Sequence, residues 1–274
     1  MLVTGATSGI GRDAAAALAA KGADVIVHGR TRARVRRTVA HLRRHAAHVE
    51  VHELVADLGA RASVEAMADE VLERFLYLDV LIHNAAIVAH KRTLSPDGIE
   101  LQLAVNHLAP FLLTHRLLPL LRRSAPARIV VVASQLERDG RFDFDDLHCD
   151  HGYDANAAYS RSKLANVLFT GELARRIEGS GVTVNCLHPG IAGTKVLNAL
   201  VGRPRWAAPW TRHEQPKADL AIGGIVRLAT EPALASVNGA YFREEERADP
   251  SAQARDTGLA QRLWTASERL VGLA

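Results

Sequence analysis

Residues 4–11 read Thr-Gly-Ala-Thr-Ser-Gly-Ile-Gly; a short apolar run, residues 1–4, leads into them, and a segment rich in alanine and leucine, residues 10–21, follows. This order predicts a strand, a glycine turn and a helix. Glycines let the backbone approach a diphosphate closely, and a helix N-terminus presents free N–H groups to it. A purely structural turn would also explain the glycines. The predicted diphosphate site consists of Gly5, Thr7, Ser8, Gly9, Ile10 and Gly11.

The same alternation continues along the chain. Strand-like apolar runs cover residues 24–28, 49–54, 79–83, 128–133 and 182–187, and helical patterns cover residues 31–46, 61–76, 96–122 and 157–177. Near-continuous apolar strands are typical of a parallel sheet with helices on both faces. We therefore predict an α/β fold: one Rossmann-type domain over residues 1–274, with a doubly wound parallel sheet of about seven strands. Two stretches are long enough to be functional loops: an acidic insertion, residues 136–155, and a substrate lid, residues 191–213.

Composition favours a soluble protein of a reducing compartment. Of the 274 residues, 48% are hydrophobic and 23% are charged, as in ordinary folded domains. Cys149 and Cys186 are too few for a disulfide framework. The N-terminus does not resemble a secretory signal, and no run reaches the roughly 18 apolar residues of a membrane-spanning helix. We expect a cytoplasmic protein without a membrane span.

The formal net charge of +4 arises largely from arginines within residues 30–44. A solvated helix face is the simpler explanation, and a cluster that faces phosphate is the alternative. The stretch lacks interleaved aromatic residues and any nucleic-acid-binding module. A nucleic-acid partner is therefore not expected.

Residues that directly follow the strands should face a bound dinucleotide, because such folds bind ligands beyond the carboxyl ends of their strands. After the second strand stands Arg30, where an NAD-selective site would carry an acidic residue. Arg30 can pair with a 2′-phosphate, which favours NADP(H) and leaves NAD(H) open, unless it merely begins the basic helix. Asp57 and Leu58 could contact the adenine, and Asn84 the adenosine ribose. Asp57 and Asn84 could equally be strand caps.

Four side chains are candidates for chemistry. Tyr159 and Lys163 are four residues apart, on one face of the predicted helix, and the ammonium would lower the pKa of the phenol. Ser134 ends a strand, where its hydroxyl could polarise a substrate carbonyl or simply form a turn. Asn106 is polar in an apolar helix face, which predicts a structural or proton-relay role.

The insertion also contains His148-Cys149-Asp150-His151, which are residue types that bind metals. Adjacent side chains in a loop rarely converge on one ion, and no second cluster completes a site. We therefore predict no metal.

Together these motifs resemble the short-chain dehydrogenase/reductase family over nearly the whole chain. The resemblance rests on TGATSGIG, Asp57-Leu58, His83-Asn84-Ala85-Ala86, Asn106, Ser134, Tyr159-x-x-x-Lys163 and His188-Pro189-Gly190. Residues 158–190 and the C-terminal Leu263-Trp264-x-x-Ser267-Glu268 are most similar to its retinol-dehydrogenase-like and protochlorophyllide-reductase-like branch. Ala86 stands where the family has a glycine beside the cofactor.

The resemblance implies a role for each matching residue. Tyr159 would be the general acid/base, Lys163 would hold the nicotinamide ribose, Ser134 would orient the substrate oxygen, and Asn106 would support a water-linked proton path. The implied cofactor contacts also include Ala85, Ala86, Pro189, Gly190 and Thr194. It further implies a homodimer or homotetramer formed through residues 96–122 and 157–177, although some members are monomers.

The sequence thus predicts an NAD(P)-dependent oxidoreductase for a carbonyl or alcohol group. Apolar residues in the predicted lid favour a small, mostly apolar substrate. The alternative is a catalytically weak NADP-binding sensor or scaffold.

Overall fold

The computed structural model describes residues 1–190 and 215–274, with side chains from residue 219 in the second range. The predicted lid, residues 191–213, and Thr194 within it lie outside the described residues.

An eight-stranded sheet forms the centre of the molecule, in the order β3-β2-β1-β4-β5-β6-β7-β8. All neighbouring strands are parallel except β7 and β8. The strands are β1 (Leu2–Val3), β2 (Val25–Gly29), β3 (Val51–Val55), β4 (Val80–His83), β5 (Ala127–Val132), β6 (Val182–His188), β7 (Tyr241–Arg243) and β8 (Glu246–Ala248).

The main helices connect these strands or follow them. They are α1 (Gly9–Ala20), α2 (Arg32–His45), α3 (Arg61–Arg74), α4, α5 (Ala155–Arg176), α6 (Gln215–Thr230) and α7 (Thr257–Val271). Helix α4 has three consecutive parts: an α-helical turn Leu101–Leu103, a π-helical segment Ala104–Leu108 and an α-helical segment Ala109–Arg123. A 3₁₀ helix, Gln135–Asp139, follows β5.

Apolar side chains of the strands alternate between two cores. In β5, Ile129 and Val131 belong to the core beneath α3, α4 and α5, whereas Val130 and Val132 belong to the core beneath α1, α2 and α6. Burying each such side chain stabilises the fold by about 1.5–3 kcal/mol. The predicted doubly wound α/β fold is confirmed.

One local prediction about secondary structure was wrong. The helix predicted over residues 96–122 begins only at Leu101, because Ser95-Pro96-Asp97-Gly98 forms a turn and the Glu100 carboxylate accepts hydrogen bonds from Gln102 N and Leu103 N. In the described residues the sheet has eight strands, close to the predicted number of about seven. The short antiparallel pair β7 and β8 carries too few residues for a clear alternation pattern.

Helix α5 is buried along most of its length within a single chain. Helix α7 packs on one side of it, where Ala260 and Leu263 contact Leu164, Ala165 and Leu168. Few positions of α5 are left for a second subunit, and the predicted homodimer or homotetramer stays a prediction. Within the ranges 1–190 and 215–274, no helix is both long and apolar enough to cross a membrane.

The strand order reverses between β1 and β4, which lie side by side. From β1 the chain winds outward to β3, and from β4 it winds outward in the other direction. Loops that leave the carboxyl ends of β1 and β4 therefore diverge and leave a crevice, which is where such sheets bind ligands. The glycine turn and Asn84 lie at this crevice.

Candidate active site

The glycine turn after β1 has the conformation that glycine allows most easily. Gly5 and Gly9 have φ values of +67° and +55°, in the left-handed region. A Cβ on Gly5 would lie 2.8 Å from Ala85 Cα, so the turn also packs too closely for a side chain at that position. Ala85, predicted from the resemblance as a cofactor contact, is thus in direct contact with the turn.

The N-terminus of α1 is suited to an anion. Ser8 is the N-cap residue, yet its side chain makes no capping hydrogen bond, and the first turn contains no acidic residue. Within the described part of the chain, the N–H groups of this first turn therefore lack a capping side chain, and the turn itself carries no negative charge. A cradle of this kind fits the diphosphate of a dinucleotide.

Asn84 supports this turn from the neighbouring strand. Its Nδ2 donates to Thr4 O at 2.9 Å, and its backbone N–H donates to the Thr4 hydroxyl at 3.0 Å. The same amide lies so close to Gly11 that a Cβ there would be 2.1 Å from Nδ2. These contacts favour the strand-cap interpretation of Asn84 over direct contact with a ribose.

His28 in β2 also supports the glycine turn, and it was not identified from the sequence. Its Nδ1 accepts from Gly5 N–H at 3.2 Å, and its Nε2 lies 3.2 Å from Ala56 O. Burial lowers its pKa to about 4, so the ring is neutral and can accept the Gly5 hydrogen bond. The signal was a polar residue in the otherwise apolar run Val25-Ile26-Val27-His28.

The adenosine end of the predicted site lies at the ends of β2 and β3. Arg30 is exposed directly after β2. Asp57 Oδ1 accepts from Gly59 N–H at 2.9 Å, which agrees with a capping role and leaves the carboxylate exposed to solvent. Leu58 is buried in the core with only 8% of its surface exposed.

Tyr159 and Lys163 lie one turn apart on α5, and both are buried. The Lys163 ammonium nitrogen is 5.6 Å from the centre of the Tyr159 ring and donates to Val132 O, at the carboxyl end of β5, at 2.8 Å. The pair therefore faces the carboxyl ends of the strands, as the enzymatic interpretation requires.

The expected direction of the Tyr159 pKa was wrong. Burial raises the pKa of Tyr159, and the neighbouring Ser134 side chain only partly opposes this. Burial also lowers the pKa of Lys163 to about 7, so the ammonium loses much of the charge that was expected to stabilise a phenolate. The phenol is therefore held in its protonated form.

Ser134 and Asn106 complete the cluster. Ser134 follows β5, lies close enough to Tyr159 for its side chain to affect the pKa of the phenol, and accepts from Leu136 N–H at 3.3 Å. Asn106 is fully buried: its Oδ1 accepts from Ile87 N–H at 2.8 Å, while its Nδ2 donates to Ile87 O and to the Ser162 hydroxyl, both at 3.0 Å. Asn106 thus links the loop after β4, which carries Ala86, to the helix of Tyr159.

Arg161 fastens the acidic insertion to α5. Its guanidinium donates to Asp146 O, Leu147 O and the Cys149 sulfur, and lies 3.9 Å from the buried Glu100 carboxylate. The residues considered above for metal binding have separate protein partners: His148 accepts from Glu100 N–H, and Asp150 pairs with Arg92.

Pro189 and Gly190 follow β6 at the same edge of the sheet, and Gly190 has a φ of +71°. A Cβ there would lie 2.3 Å from the Glu244 carboxylate, which favours glycine at this position. The first of the two described ranges ends at Gly190.

Comparison with known proteins gives a consistent result. A family model described as short chain dehydrogenase matches residues 1–203. Retinol dehydrogenase 14 of Mus musculus is 41% identical over 288 residues, which cover 100% of this chain and 86% of that protein. Retinol dehydrogenase 13 of Homo sapiens is 38% identical over 281 residues, which cover 100% of this chain and 84% of that protein.

Solved structures share the fold. The crystal structure of a protein from Mycobacterium paratuberculosis superposes with a TM-score of 0.80 at 32% identity and covers 99% of this chain and 92% of that one. A short chain dehydrogenase from Shigella flexneri, complexed with NADP, superposes with a TM-score of 0.70 at 25% identity and covers 89% of this chain and 95% of that one.

Proposed function

This chain belongs to the short-chain dehydrogenase family and is an oxidoreductase, and we propose that it interconverts a carbonyl and an alcohol with NADP(H). The observation that carries the proposal is the buried pair Tyr159 and Lys163, with the half-buried Ser134 next to it, beside the crevice of the sheet. The retinol dehydrogenases among its relatives are named for an apolar alcohol. We extend this to a small, mostly apolar substrate.

The residues that would hold the dinucleotide are the backbone of the glycine turn, Arg30 and Lys163. When bound, the nicotinamide supplies or accepts the hydride. Tyr159, kept protonated by burial, is ready to donate a proton to the oxygen of a carbonyl that is being reduced. The Ser134 side chain lies next to the same phenol, and its hydroxyl can hold the substrate oxygen against it.

Proton transfer is tested with Tyr159→Phe in an absorbance assay at 340 nm, with NADPH and a panel of apolar aldehydes and ketones. We expect turnover to fall by about 10²–10⁴-fold, the usual contribution of a positioned acid, while NADPH binding measured by fluorescence is retained. The matched control is Tyr77→Phe, because Tyr77 is a surface tyrosine with 68% of its area exposed. Full activity of Tyr159→Phe would reject the role. NADPH binding by the wild type without turnover of any compound would favour the sensor or scaffold.

The preference for NADP(H) rests on Arg30 and on the absence of any acidic residue between Asp24 and Glu50 in the sequence. A charge-assisted hydrogen bond to a 2′-phosphate contributes about 1.5–3 kcal/mol, so Arg30→Asp should shift the NADPH-to-NADH ratio of kcat/KM by at least about tenfold. Arg37→Asp makes the same charge change on the exposed side of α2 and serves as the control. If both variants shift the ratio equally, the preference for NADP(H) comes from the overall positive charge of the helix and not from Arg30 itself.

A further inference from the structure

The C-terminal segment Leu263-Trp264-x-x-Ser267-Glu268 lies outside residues 1–203, the part matched by the family model, and outside the site described above. It belongs to α7, which ends close to the C-terminus of the chain. The structure nevertheless connects this helix to the cluster around Tyr159.

The connection is a buried hydrogen bond between residues 160 positions apart: His107 Nε2 lies 2.8 Å from Ser267 Oγ. Each residue has only 1% of its surface exposed. Ser267 Oγ also donates to Leu263 O at 2.8 Å, which holds the hydroxyl in one orientation on its own helix. Water does not compete for this contact, because both partners are enclosed.

His107 directly follows Asn106, and both belong to the π-helical segment of α4. Asn106 reaches Ile87 and Ser162, on the side of the catalytic helix, whereas His107 reaches α7. A π-helical turn is rare and is frequently found at functional sites, and side-chain contacts on two sides support this one. Here that support includes α7.

Helix α7 is a rigid partner because aromatic contacts fix it to the helices beneath. The Trp264 ring meets Phe111 of α4 edge-on, with centres 4.8 Å apart, and is stacked with Phe169 of α5 at 6.1 Å. The Arg176 guanidinium covers the Trp264 ring at 4.2 Å from its centre. Trp264 is therefore in contact with α4 and α5 at once.

We propose that Ser267 is a positioning residue: its hydrogen bond to His107 fixes the π-helical segment and thereby holds the Asn106 side chain between Ile87 and Ser162. The proposal rests on the proposed function only where it concerns turnover, since the bonds themselves are independent of the reaction. It assigns a purpose to the serine of the C-terminal motif.

The test compares Ser267→Ala with Thr265→Ala, which removes a hydroxyl from the exposed side of the same helix. The first readout is hydrogen exchange at the Ile87 amide, which donates directly to Asn106. We expect exchange at Ile87 to become at least about tenfold faster in Ser267→Ala and to stay unchanged in Thr265→Ala, because loss of the anchor allows local opening. Equal exchange in the two variants would overturn the proposal, whether or not a substrate is known.

The second readout is the division of the effect between kcat and cofactor binding. A small displacement of Asn106 should lower kcat by up to about 100-fold, while the NADPH Kd stays within about twofold of the wild type, because the glycine turn is remote from α7. Ser267→Thr, which keeps the hydroxyl, should recover most of the loss. A lower melting temperature with unchanged kcat per bound NADPH would reduce Ser267 to a packing role. Absence of turnover in the wild type would instead refute the proposed function.

Discussion

Gly11 provides a sharp test of the packing between the glycine turn and β4. A Cβ on residue 11 would lie 2.1 Å from Asn84 Nδ2 and 2.7 Å from Gly5 O, both far inside van der Waals contact. Asn84 cannot move away without losing its 2.9 Å hydrogen bond to Thr4 O. Overpacking costs about 1–3 kcal/mol and a lost hydrogen bond about 1 kcal/mol, so Gly11→Ala should lower the free energy of unfolding by about 2–4 kcal/mol.

Urea unfolding of the purified variants measures this loss. Gly171→Ala is the matched control, since among the described residues no atom outside the adjoining backbone of α5 lies within 4 Å of a Cβ added there, and alanine should stabilise α5 by up to about 1 kcal/mol. Adding Asn84→Ala to Gly11→Ala removes the 2.1 Å contact but not the one to Gly5 O. We therefore expect partial relief, with a coupling energy of at least about 1 kcal/mol. Wild-type stability of Gly11→Ala, or strictly additive losses, would refute the reasoning.

Three further predictions concern buried polar groups. Burial lowers the pKa of three histidines: that of His28 to about 4, and those of His83 and His107 to about 3. Below pH 6.5 the unfolded chain binds more protons at these histidines than the folded chain does, so each histidine should lower the free energy of unfolding by about 2 kcal/mol between pH 7 and pH 5. Urea titrations at the two pH values measure this loss. A free energy of unfolding that does not change between them would contradict the prediction. Because the pKa of Lys163 is lowered to about 7, the unfolded chain also binds more protons than the folded chain between pH 7 and 10.5, so the free energy of unfolding should rise by about 2 kcal/mol from pH 7 to pH 9. Lys163→Met should abolish both turnover and this rise. If the rise remains in Lys163→Met, another group causes it. The fully buried Glu137 carboxylate accepts from Ser251 N–H and Oγ, so Glu137→Gln should cost about 1–3 kcal/mol in thermal or urea unfolding, whereas Glu178→Gln on the exposed surface should change little.

Much of the site could be predicted because its residues follow local patterns. The glycines occupy one turn between a strand and a helix, and Tyr159 and Lys163 are separated by one helical turn. Arg30 and Ser134 are recognisable because each directly follows an apolar strand. Such signals depend on neighbours in the chain, so the sequence contains them completely.

The electrostatic prediction failed for the opposite reason. The spacing of Tyr159 and Lys163 predicted mutual stabilisation of charge, whereas the cost of burial dominates both pKa shifts. That burial comes from segments far apart in the sequence, which no local pattern reports. His28 was missed similarly, because its partners Gly5 and Ala56 belong to other strands and turns.

Spacing along the chain was enough to predict the order of strands and helices, the glycine turn and the face of α5 that carries Tyr159 and Lys163. The stable protonation states and the distant residues that support the site depend instead on how segments far apart in the sequence pack together. The bond between His107 and Ser267 is the clearest case, because a contact across 160 positions exists only after α4 and α7 have packed on the same side of the sheet.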